Sequence, residues 1–67
     1  MKENYIGAIV VLENFLDGAV ADYESGNVED NETIWSCINA IKKLGGRWYY
    51  EYEERMIKAE ELRNDQN

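Results

Sequence analysis

The sequence contains no histidine and no proline, and it has one cysteine and one phenylalanine. Without histidine, the chain lacks the commonest general base and the commonest neutral metal ligand, and no Ser-His or Cys-His nucleophile pair can form. The single Cys37 excludes an internal disulfide and is expected to act as a small buried apolar residue. We therefore expect no enzymatic activity, no cofactor and no metal.

The few motifs that resemble functional sites are incomplete. Gly45, Gly46 and Arg47 lack the Lys-Ser/Thr ending and the preceding strand of a phosphate-binding loop. The acidic residues near position 27 lack the glycine that a calcium-binding loop needs at its sixth position. A helix turn and a solvated loop are the simpler interpretations of these two segments.

Long hydrophobic runs are also missing. The longest apolar stretch, Ile6 to Leu12, is too short to span a bilayer, and the first residues lack the basic and apolar regions of a signal peptide. We expect a cytoplasmic protein without membrane contact. A chain of 67 residues makes one domain with a thin stability margin, which favours help from a partner.

Positive charge is scarce in the first forty residues. Only Lys2 opposes eight acidic residues there, and six basic residues balance six acidic ones from Ile41 onward, so the net charge of −7 lies entirely in the first part. Such an acidic half repels nucleic-acid phosphates and acidic lipids, so direct nucleic-acid binding is not expected. The acidic half is either a solvated surface or a match for basic groups on a partner.

The apolar pattern predicts three helical segments, at 4–24, 31–44 and 48–63, and a frayed tail at 64–67. No proline interrupts any of these segments. Gly26 suits a left-handed helix end, Asp30 or Asn31 can cap the second helix, and Gly45-Gly46 ends it. Apolar residues at three- and four-residue steps predict the core: Tyr5, Ile9, Leu12, Leu16, Ala19, Tyr23, Ile34, Cys37, Ile38, Ile41, Leu44, Trp48, Tyr52, Met56, Ala59 and Leu62. The aromatic run at 47–52 would also suit a strand.

The predicted fold is therefore all-α, a helical hairpin with a third helix, either dimeric or bound to a partner. Pairs at i and i+4, Glu51 with Arg55 and Glu54 with Lys58, are expected to support the third helix. On the first helix, a line of mostly small residues lies opposite the core stripe and would let another backbone approach closely. Its members are Gly7, Val11, Asn14, Gly18 and Ala21.

Several apolar side chains fall outside the predicted core, more than one small chain can easily cover. Tyr50 and Ile57 lie opposite the core stripe of the third helix, and Trp35 lies beside that of the second. With neighbouring aromatic, apolar and acidic residues they form the predicted partner interface: Val10, Val11, Asp17, Asp22, Glu24, Trp35, Tyr49, Tyr50 and Ile57.

Three functions fit this pattern. The first is a regulator or inhibitor that binds a partner protein through an aromatic patch and an acidic surface, including the kind of antagonist of a nucleic-acid enzyme that some phages encode. The second is a homo-oligomeric assembly module, with a dimer as the simplest form. The third is a small-molecule-binding protein with a Trp- and Tyr-lined pocket, where Arg47 or Arg55 meets an anion.

Overall fold

The computed structural model describes residues 5–27 and 30–65, without the side chains of 64 and 65. It contains three helices, α1 (Ile6–Glu24), α2 (Asn31–Leu44) and α3 (Tyr49–Asp65), and no strand within the described ranges. The predicted three-helix, all-α fold is confirmed. Each helix contacts the other two. Cross-helix contacts join Asn31 to Glu60 and Tyr23 to Arg63, so α1 and α3 run parallel and α2 runs antiparallel to both.

Local capping explains the bounds of α2, which coincide with the predicted 31–44. The carboxylate of Asp30 accepts the backbone N–H of Thr33 at 3.3 Å and the Thr33 hydroxyl at 2.9 Å. At the other end Gly45 has a φ of +89°, a left-handed conformation that favours glycine, and its N–H bonds back to the last turn. Lys42 and Lys43 in that turn complement the helix dipole.

The core lies along the axis of the bundle and takes residues from all three helices. Its buried members are Leu16, Val20, Tyr23, Ile34, Ile38, Ile41, Tyr52, Met56 and Ala59. Ile9, Leu12, Ala19 and Cys37 from the predicted stripes pack against it as partly buried residues. Most of the predicted core is therefore confirmed, while Val20 was missed.

Three predicted core residues are exposed instead. Tyr5 precedes α1 and is 41% exposed, Trp48 precedes α3 and is 51% exposed, and Leu62 near the end of α3 is 62% exposed. Tyr5 and Trp48 each precede the first residue of a helix, and Leu62 lies close to the end of α3. The strand alternative for 47–52 is wrong, because α3 begins at Tyr49.

One predicted ion pair is replaced by a contact between helices. The Arg55 guanidinium donates two hydrogen bonds to the Glu24 carboxylate on α1, at 2.7 and 2.9 Å, and not to Glu51 one turn away. This bidentate pair joins α3 to the last turn of α1. The predicted frayed tail falls partly inside α3, which continues to Asp65, and residues 66 and 67 lie outside the described range.

Candidate functional site

Helix α1 is apolar on both of its sides. One side enters the core through Leu16, Val20 and Tyr23. The solvent-facing half, here called the outer face of α1, exposes four large apolar side chains: Ile6 at 66%, Val10 at 46%, Val11 at 67% and Phe15 at 46%. Ile6 and Val10 lie on the flank towards Trp48, and Phe15 lies on the flank towards α2. A surface helix of a globular protein usually carries mostly polar and charged residues opposite its core stripe. The exposed apolar area on the outer face of α1 is therefore unusual for a solvent-facing helix surface.

Two glycines lie on the same face. Gly7 and Gly18 are exposed, and a Cβ added at either position would meet nothing within 4 Å. Glycine weakens a helix interior relative to alanine by about 1 kcal/mol. Packing within this chain therefore does not require a glycine at either position.

Trp48 extends the outer face of α1 towards the start of α3. It lines an apolar notch of about 250 Å³ with Ile6, Val10, Gly46 and other residues. Its ring centre lies 6.2 Å from that of Tyr50. The sequence pattern assigned Trp48 to the core and did not select Ile6 or Phe15, so the prediction missed these three residues of this surface.

The predicted residues of α3 form a second surface. Tyr50 is 46% exposed and Ile57 is 48% exposed, as expected from their position opposite the core stripe. Tyr49 is half-buried, with its ring edge-on to Tyr50 and the Lys42 ammonium 5.5 Å from its ring centre. The structure therefore brings Tyr49 and Tyr50 together, on a different helix from Val10 and Val11.

A hydrogen bond from the indole N–H of Trp35 on α2 connects this side chain to α3. Its indole N–H donates to Glu60 Oε2 at 2.9 Å, and the Asn31 side-chain amide donates to the same oxygen at 2.8 Å. The ring is half-buried and packs against the core. Trp35 thus joins α2 to α3, and only part of its ring is open to a partner.

Two of the predicted acidic interface residues are engaged within the chain. Asp17 accepts the Tyr52 hydroxyl at 2.7 Å. Burial, followed by this hydrogen bond to a carboxylate, raises the pKa of Tyr52 well above the ordinary value. The hydrogen bond from Arg55 lowers the pKa of Glu24. Both carboxylates therefore join α1 to α3 as well as adding to the acidic surface.

Asp22 is placed differently. With Asp30 it lies at one end of an apolar groove of about 380 Å³ between α1 and α2, whose other lining residues include Phe15, Ala19 and Ile34. Hydrogen bonds from Thr33 lower the pKa of Asp30, so that carboxylate stays ionised. Within the described residues, Asp22 makes no ion pair.

The remaining surface offers little chemistry. A groove of about 540 Å³ between α1 and α3 contains Arg55, Lys58 and Arg63. Two of these cations are already engaged within the chain. Arg55 binds the Glu24 carboxylate, and Arg63 donates to the Tyr23 carbonyl and lies 4.0 Å from the centre of the Tyr23 ring. Burial raises the pKa of the Cys37 thiol. In the described part of the chain, no three Cys, Asp or Glu side chains are grouped as metal ligands, and no helix is long and apolar enough to cross a membrane.

Comparisons with protein families, curated proteins and solved structures found no match to this chain.

Proposed function

We propose that the protein is a non-catalytic interaction module, a regulator or inhibitor that binds a partner protein through the outer face of α1. Its acidic first half faces basic groups of that partner. The observation that carries this proposal is the exposure of Ile6, Val10, Val11 and Phe15 on one side of a helix whose other side is in the core.

Physical grounds favour a partner for this face. Single exposed apolar residues are ordinary on a protein surface, but several large ones on the solvent-facing half of one helix favour an interaction site. Trp48 adjoins the patch at half exposure, and tryptophan is enriched among the residues that contribute most to binding. The net charge of −7 adds long-range attraction to a basic protein and repulsion from nucleic acid.

Affinity capture from the cells in which the chain is native tests the proposal. The tagged wild type is compared with Val11→Gln/Phe15→Gln on α1 and with Tyr50→Gln/Ile57→Gln on α3, both at exposed positions where glutamine favours helix. We expect the wild type and the α3 variant to retain a stoichiometric partner, and the α1 variant to lose it while keeping its helical circular dichroism. Binding should weaken as ionic strength rises.

Two results would count against the proposal. The first is a wild-type chain that captures no stoichiometric partner. The second is an α1 variant that captures the partner as well as the wild type does. Loss of the partner in the α3 variant alone would move the site to Tyr50 and Ile57.

Self-assembly is a second candidate, favoured by the symmetry of the outer face. Gly7 and Gly18, and likewise Val10 and Phe15, are equidistant from the midpoint between positions 12 and 13. Two antiparallel copies of α1 would therefore set each residue of a pair against the other, as a two-fold interface requires. Because each copy carries a net charge of −7, electrostatic repulsion opposes this assembly. A single monomeric species in sedimentation velocity at high concentration would exclude it.

A further inference from the structure

The groove between α1 and α2 combines an apolar floor with an acidic end. Phe15 is 46% exposed and Ala19 is half-buried on α1, while the buried Ile34 lies on α2. Asp22 is in the last turn of α1 and Asp30 precedes α2, so both carboxylates flank the turn that joins these helices. Apolar and charged contacts are thus available to one ligand, in a fixed order along the groove.

Among the described residues, no cation neutralises the charge at the acidic end. The C-terminus of a helix carries a partial negative charge, and the last turn of α1 contains no basic residue. On α3, Arg55 donates to the Glu24 carboxylate and Arg63 donates to the Tyr23 carbonyl. Within residues 5–27 and 30–65, no cation pairs with Asp22. A basic group brought by another molecule would find a favourable potential here.

Gly18 provides access to the groove. It lines the groove near the middle of α1, and the space above its Cα is open. A side chain there would occupy that space, and its absence lets a partner approach the backbone of α1. Gly7 has the same open surroundings but lies outside the groove, three turns earlier.

We propose that this groove binds a basic amphipathic helix of a partner protein, with an apolar side chain over Phe15 and Ala19 and a lysine or arginine beside Asp22. The proposal rests on the proposed function and names the chemistry of its partner. Phe15 and Asp22 are seven residues apart, roughly 10 Å along the helix axis. A partner helix therefore presents its apolar and basic residues about two turns apart on one face.

Charge complementarity favours a basic helix over a second copy of this chain as the occupant of the groove. Another copy brings a net charge of −7, and its own α1 contains no lysine or arginine. A basic helix instead gains attraction at the end of the groove where Asp22 and Asp30 lie.

A peptide titration tests the proposal. The probe is a fluorescein-labelled helical peptide of leucine, alanine and lysine, with leucine and lysine two turns apart. A control peptide has glutamate in place of each lysine. Binding to the full chain is followed by fluorescence anisotropy. Gly18→Leu fills the groove, and Asn39→Leu, at an exposed position of α2 that does not line the groove, is its control. Asp22→Asn removes a carboxylate charge from the acidic end of the groove, and Glu61→Gln removes an exposed charge on α3.

We expect the lysine peptide to bind and the glutamate peptide not to bind. Gly18→Leu should weaken binding at least tenfold and Asp22→Asn several-fold, whereas both controls stay within twofold of the wild type. Equal loss in Gly18→Leu and Asn39→Leu, or in Asp22→Asn and Glu61→Gln, would overturn the groove as the site. A wild type that does not bind the lysine peptide would also overturn it.

Two further readouts separate the possible failures. If the cellular partner is captured by Gly18→Leu and by wild type alike, the groove proposal fails and the proposed function stands. If no partner is captured at all, the proposed function fails. Self-association of the wild type that Gly18→Leu abolishes would assign the groove to a second copy and overturn the basic-helix proposal.

Discussion

The indole N–H of Trp35 on α2 donates a 2.9 Å hydrogen bond to the Glu60 carboxylate on α3. The same carboxylate oxygen accepts the Asn31 amide, so one side chain of α3 holds two donors of α2. We expect Glu60→Ala to lower the free energy of unfolding by about 1–2 kcal/mol, because two partly buried donors lose a charged acceptor. Urea denaturation checks this, with Glu61→Ala as the exposed control. Equal effects of the two substitutions would contradict it.

The contact between Tyr52 and Asp17 gives a prediction at alkaline pH. Tyr52→Phe removes the hydroxyl that bonds Asp17 at 2.7 Å and should cost about 1–2 kcal/mol at neutral pH. Burial and this hydrogen bond raise the folded-state pKa of Tyr52 above the ordinary value of 10.0. The hydroxyl's contribution is therefore complete below pH 10 and is lost as the pH rises beyond that value.

The stability difference between wild type and Tyr52→Phe should consequently narrow above pH 10. Urea unfolding of both proteins across alkaline pH measures this difference. A difference that is constant, or that widens with pH, would contradict the assigned hydrogen bond.

Substitution by alanine is expected to change the stability of the fold in opposite directions at two glycines. At Gly46 a Cβ would clash with the Ile41 side chain beneath it, so Gly46→Ala should destabilise the fold by about 1–3 kcal/mol. At Gly18 the space is open, so Gly18→Ala should stabilise α1 by about 0.5–1 kcal/mol. Thermal unfolding of the isolated chain separates the two, and a destabilising Gly18→Ala would show that α1 packs differently.

The ion pair between Glu24 and Arg55 is expected to contribute little. Its side chains are 36% and 40% exposed, so Glu24→Gln should cost about 0.5 kcal/mol at low salt and almost nothing at high salt. Since the pair lowers the pKa of Glu24, its contribution is present above pH 4.5 and falls as the pH drops below that value. Urea unfolding at two ionic strengths checks this, and a large salt-independent loss would contradict it.

Local signals made much of the fold predictable. Gly26 and Gly45 have the positive φ expected of helix ends, and Asp30 caps α2 by accepting Thr33. These features depend on neighbouring residues alone. The apolar period likewise identified the core residues Ile34, Ile38 and Ile41, since a helix turns by a known angle at each residue.

Contacts between helices were not predictable in the same way. Nothing near Arg55 in the sequence indicates Glu24, which is on another helix, and the period that placed Trp48 in the core does not apply before α3 begins. Trp35 was correctly placed beside the core face, but its bond to Glu60 depends on how α2 and α3 are aligned. Val10 and Val11 were selected for the surface, whereas the exposed Phe15 was missed.

Site-specific photo-crosslinking in the native cell tests the central claim most directly, namely that the outer face of α1 contacts another protein. A benzophenone side chain is placed at Val11 in one variant and at Ile57 on α3 in another, both exposed positions. We predict one discrete crosslinked product from Val11, with the mass of this chain plus one basic partner, and no such product from Ile57. A Val11 variant that yields no discrete product, or one that the Ile57 variant yields equally, would contradict the claim.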